Sequence, residues 1–78
     1  MKIMKVTFTA PDGSTFVESV PQSFTHASIY MGEFGWRTRA CSSHPHWLKA
    51  DIELMFDKNP RMTDRRYSIV EIVFPAAA

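Results

Sequence analysis

The chain has 78 residues, with nine Lys+Arg against eight Asp+Glu, and a formal net charge of +1 when histidine is neutral. Its 45% apolar content excludes intrinsic disorder, which needs few apolar residues and a large net charge. Its near-zero charge gives no bulk attraction to polyanions, and its longest apolar-rich stretches, such as Ile69 to Pro75, are far short of the ~20 residues of a membrane-spanning helix.

Such a length suits a single domain, residues 1–78. A domain this short buries only about 60–65% of the surface its unfolded chain exposes, so its stability margin is thin. Cys41 is the one cysteine. No intrachain disulfide can form, and a reducing, cytoplasmic setting is the natural expectation. Met1-Lys2-Ile3-Met4-Lys5 has no long apolar run behind it, so no signal peptide is expected. The small residues Ala76 to Ala78 read as a frayed tail.

From Lys2 to Ala10 the pattern alternates. Met4, Val6, Phe8 and Ala10 share one face; Lys5, Thr7 and Thr9 share the other, which predicts a half-buried strand. Pro11-Asp12-Gly13-Ser14 then supplies turn chemistry: a preset φ, a side-chain acceptor for the backbone ahead, and a residue that accepts positive φ. Thr15 to Val20 completes a hairpin that Pro21 ends.

Residues 23–36 carry two patterns. Ala27, Tyr30, Met31 and Phe34 fit one helical face, with Ser23 or Thr25 as the N-cap and Gly35 as the C-terminal cap. The competing reading is extended, with Ile29 and Met31 on one side. The helix is the expectation. Trp36 to Cys41 reads as a short strand or an extended connection, with Arg37 and Arg39 on one face as an edge strand would have. Ser42-Ser43-His44-Pro45 opens a second helix with serine as N-cap, Leu48, Ile52, Met55 and Phe56 form its apolar stripe, widened by Trp47 and Leu54, and Asn59-Pro60 stops it. Tyr67 to Phe74 is the last strand, apolar on both faces as in a central or doubly covered position. The expected fold is α+β: a small two-layer sandwich in which a hairpin is followed by two helices, with a short strand or an extended connection between them, and a C-terminal strand that could pair with either hairpin strand.

Cys41, His44 and His46 lie close in sequence, with His26 elsewhere, and thiolate with imidazole suits zinc. The spacing fits no standard zinc signature, and no metal or other cofactor is assigned. Cys41 before a helix N-terminus, with His44 or His46 as base, has the residue types of a nucleophile pair. Such a pair also needs an oxyanion site and a substrate cleft, for which a chain this short leaves little room, and no enzyme activity is expected. Asp51, Glu53 and Asp57 read as a solvated helix face. Gly32-x-x-Gly35 lacks the Lys-Ser or Lys-Thr of a phosphate loop.

All five arginines, Arg37, Arg39, Arg61, Arg65 and Arg66, fall in two segments flanked by Trp36 and Tyr67. Rings supply buried area at interfaces, and arginines supply oriented hydrogen bonds to acidic groups. The expected function is therefore a small cytoplasmic, non-enzymatic module that binds another protein or a second copy of itself. Trp36, Arg37, Arg39, Arg65, Arg66 and Tyr67 are the expected binding surface. Its size suits a regulator or inhibitor of the kind mobile elements such as phages carry. The alternative is nucleic-acid binding by the same residues, with rings stacking on bases.

Overall fold

A computed structural model describes residues 2–75, so the expected frayed tail at 76–78 lies outside the described residues. The order is β1 (Ile3–Thr9), β2 (Thr15–Pro21), β3 (His26–Gly32), β4 (Gly35–Ser42), α1 (Pro45–Lys58) and β5 (Tyr67–Glu71). β1 and β2 form an antiparallel two-stranded sheet; β4, β3 and β5 form a second antiparallel sheet in that order. Among the described residues α1 is the only α-helix, and no helix is long and apolar enough to cross a membrane.

The hairpin follows the sequence pattern closely. Val6, Phe8, Ala10 and Val20 are buried, while Lys5, Thr7 and Thr9 face out. At the turn the Gly13 N–H donates to the Ala10 carbonyl (2.9 Å), the Ser14 N–H donates to Asp12 Oδ1 (2.9 Å), and Gly13 has φ +89°. Asp12 and Gly13 do what their chemistry predicts.

The expected two-helix α+β sandwich is overturned. Residues 26–32 form β3, and the molecule is mostly β, with two sheets and one helix. Ala27, Ser28 and Ile29 are consecutive and all 0% exposed. Successive strand side chains point to opposite faces, so the middle of β3 is covered on both sides. Ala27 joins Val6, Phe8, Val20 and Ile72 in the core beneath the hairpin. On the other face, Tyr67 is the cross-strand partner of Tyr30 and packs its ring 6.0 Å from Phe56 of α1. The sheet is thus the middle of three layers, hairpin, sheet and helix. Gly32 and Gly35 are register partners around a two-residue turn, Glu33-Phe34, and Gly35 has φ +120°. Paired glycines that serve a tight hairpin turn are poor helix formers. Phe34, which a helix would have buried, is 92% exposed.

Three smaller expectations also change. Of the two readings of the segment from Trp36, the strand is the one found; it belongs to an eight-residue strand at a sheet edge, longer than expected. β5 stops at Glu71, lies at the opposite edge and pairs with β3 rather than with a hairpin strand. Its two apolar faces reflect cover by α1 and the hairpin, not a central position. α1 starts at Pro45, but its N-cap is His44, which makes no side-chain cap bond; Ser42 Oγ instead accepts the His44 N–H at 3.0 Å. Of the predicted stripe, Leu48, Ile52 and Phe56 are buried and Met55 is half-buried, whereas Trp47 and Leu54, expected to widen it, are exposed.

Candidate functional site

The site grows from the start of β4. Trp36 pairs with Met31 across the strands, and its indole N–H donates to Asp12 Oδ2 at 3.1 Å. Asp12 is anchored in the hairpin turn by the Ser14 N–H. These two donors, with Arg66 nearby, hold the Asp12 carboxyl below its ordinary 3.8, the Ser14 backbone being the largest cause.

Arg66, in the loop before β5, lays its guanidinium 5.9 Å from the centre of the Trp36 ring. Asp64 grips the same guanidinium: Nε donates to Oδ1 at 3.0 Å and Nη2 donates to Oδ2 at 2.8 Å. The pairing lowers the pKa of Asp64 and raises that of Arg66, chiefly through these side-chain hydrogen bonds. Pro11, Asp12, Trp36, Arg66 and Tyr67 line an open cleft of about 310 Å³. Tyr67 is a corner residue. It borders the cleft, while its hydroxyl donates to Glu53 Oε1 of α1 at 3.0 Å. Burial, then Glu53, pushes its pKa up.

Of the six expected surface residues, the structure brings Trp36, Arg66 and Tyr67 together. Arg65 precedes Arg66 in the same loop, but its Nε donates to the Met62 carbonyl at 3.2 Å. Arg37 and Arg39 do not join them. Arg37 pairs with Tyr30, whose face of the sheet carries α1, and Arg39 Nε bonds Asp51 Oδ2 of α1 at 3.3 Å. Trp36 lies on the opposite face, as strand alternation requires. Sequence reasoning missed Pro11 and Asp12 as site residues. It read them only as turn formers, and nothing local links Asp12 to a tryptophan 24 positions away.

The cysteine and histidines remain apart. Half-buried Cys41 packs against the core under the hairpin. Burial, with Glu18 nearby, pushes its thiol above the ordinary 9.0, the reverse of what a nucleophile needs. His26 bonds its neighbour Thr25, with Nδ1 and Oγ1 2.8 Å apart, and the rings of His44 and His46 meet edge-on at 5.9 Å. Among the described residues no three His, Cys, Asp or Glu side chains gather in a way that could hold a metal ion.

The cleft therefore offers an indole face, a guanidinium already held by a carboxylate, and a second carboxylate on the rim. That set can stack, and it can form hydrogen bonds with a docked chain. In comparisons with family models, curated proteins and solved structures, nothing matches this chain.

Proposed function

We propose that the chain is a small non-enzymatic module that binds a protein partner, and that the partner docks in the cleft of Trp36, Arg66, Tyr67, Pro11 and Asp12. The single cysteine suits a reducing, cytoplasmic setting. One observation carries the choice over nucleic-acid binding: Asp64 holds Arg66 by two short bonds while the same guanidinium lies over Trp36. Asp64 takes two of the five N–H donors of Arg66 and offsets its charge, so a phosphate meets less attraction there than at an arginine without a carboxylate partner. Arg39 is likewise engaged by Asp51. Carboxylates among the arginines favour a polar, mixed-charge protein surface over a polyanion. A surface of rings rimmed by oriented polar groups is the usual chemistry of a protein interface centre.

Two measurements test this. Fluorescence anisotropy with random single-stranded and duplex oligonucleotides should detect no binding at physiological salt. Affinity purification from the native host should recover a partner that Trp36→Ala and Arg66→Glu both lose. Tight oligonucleotide binding with a steep salt dependence would select the nucleic-acid alternative instead. A partner indifferent to both substitutions would remove the cleft from the reading.

A further inference from the structure

The β3–β4 turn places a phenylalanine ring in water. Phe34 is 92% exposed on the two-residue turn between Gly32 and Gly35, more than any other large apolar side chain among the described residues. Gly35 sits at φ +120°, and a Cβ on Gly32 would come within 2.9 Å of Arg37 Cδ. Beside this turn, between it and the segment after α1, lies an open cleft of about 360 Å³. Met31 and Met62 help to line it, with Asn59; Glu33 and Arg61 are exposed members of its wall. The volume is ample for one phenyl ring, and methionine walls re-pack around what enters.

We propose that this end of the molecule is a homodimer interface, in which Phe34 of each chain enters the methionine-lined cleft of the other. A two-fold interface must be self-complementary, so its patch must carry both the knob and the hole. This patch carries both. It also carries both signs of charge. Glu33 and Arg61 belong to the same cleft, and neither is among the ion pairs of the described residues. Across a two-fold axis each finds the other on the partner copy. A domain with so thin a core also gains by covering its most exposed ring. The proposal concerns a different surface from the Trp36 cleft and does not depend on it.

The test is sedimentation equilibrium on the full chain across a concentration series. The contact is small, so the dissociation constant expected is on the order of 10 µM. Phe34→Ser should weaken the dimer about thirtyfold or more, the loss of a buried aromatic anchor. Glu33→Arg and Arg61→Glu should each weaken it by like-charge contact, and the double variant should regain most of the wild-type affinity. All three positions are exposed, and circular dichroism checks that each variant is folded. If Phe34→Ser does not fold, the charge-swap series decides alone. A chain that stays monomeric to about 1 mM, a dimer indifferent to Phe34→Ser, or a double variant no tighter than the singles would overturn the proposal.

Discussion

Ser28 gives the sharpest test of how the sheet is built. It is a polar residue 0% exposed in the middle of the central strand. It sits where the β3–β4 register jumps from Ser28 opposite Ala40 to Ile29 opposite Thr38, leaving Arg39 as the extra residue of a β-bulge. The Ala40 N–H donates to Ser28 Oγ at 3.2 Å, and the Ser28 hydroxyl reaches the Ala40 carbonyl at 3.5 Å. The second contact is at the limit of useful length, so the first carries most of the effect. Ser28→Ala removes the side-chain acceptor from this N–H. A lost neutral hydrogen bond costs about 1 kcal/mol, and a buried donor left without its partner costs about 1–3 kcal/mol. Ala40 is only half-buried, so water relieves part of this, and the expected loss is about 1–2 kcal/mol. For a domain of this size each kcal/mol lowers Tm by roughly 4–8 °C. Urea unfolding should show a lower midpoint at unchanged slope. Ser19→Ala, on the exposed face of the hairpin, is the control and should stay within about 0.5 kcal/mol. A Ser28→Ala loss no larger than that of the control would refute this account of the bulge.

Thr38 makes the opposite case: its Oγ1 is buried with no partner, so Thr38→Val should raise stability by about 1 kcal/mol in urea, and a loss would mean that the hydroxyl is bonded after all. Asp12 has a depressed folded pKa, so its contribution is fully present above the unfolded value near 3.8 and is lost as pH falls through the lower folded value. An NMR titration of the Asp12 carboxyl should give a midpoint below 3.8, and Trp36→Phe, which removes the indole donor, should move it upward; a midpoint at or above 3.8 in the wild type contradicts the geometry. Cys41 should react with iodoacetamide at pH 8 more slowly in the folded chain than in denaturant, because burial raises its pKa; equal or faster alkylation would restore a reactive thiol.

The hairpin and α1 are legible in the sequence because each has a one-sided pattern. Met4, Val6, Phe8 and Ala10 alternate cleanly, and Leu48, Ile52 and Phe56 repeat at helical spacing between Pro45 and Asn59. β3 is different. Cover on both faces buries Ala27, Ser28 and Ile29 in a row and erases the alternation that marks a half-buried strand. What remains, Ala27, Tyr30, Met31 and Phe34, fits a helix by chance. The decision is made elsewhere, by two neighbouring strands that satisfy both edges of β3. Part of the site was more legible than the grouping of six residues suggests. Trp36 and Arg37 are adjacent on a strand, and adjacency alone sends them to opposite faces. The partnership of Asp12 with Trp36 has no local signal, since it depends on the hairpin folding over the sheet.

Placement of the arginines decides more about partners than their number does. Arg39 and Arg66 are ion-paired with Asp51 and Asp64. The other three are scattered: Arg37 on the helix side of β4, Arg61 at the methionine-lined cleft, and Arg65 against the Met62 carbonyl. On duplex DNA each phosphate neutralised adds about −0.9 to the slope of log K against log salt. Contact by all five arginines would give a slope near −4.5, whereas the three unpaired ones would give at most about −2.7. A measured slope steeper than about −2.7 would therefore require further contacts, from the lysines or from Arg39 and Arg66 released by their carboxylates. Asp64→Asn and Asp51→Asn separate the cases. If the carboxylates hold the arginines away from phosphate, the two substitutions should raise salt-dependent DNA affinity above that of the wild type. Variants that bind DNA no better than the wild type would show that neutralisation is not what keeps this surface from polyanions.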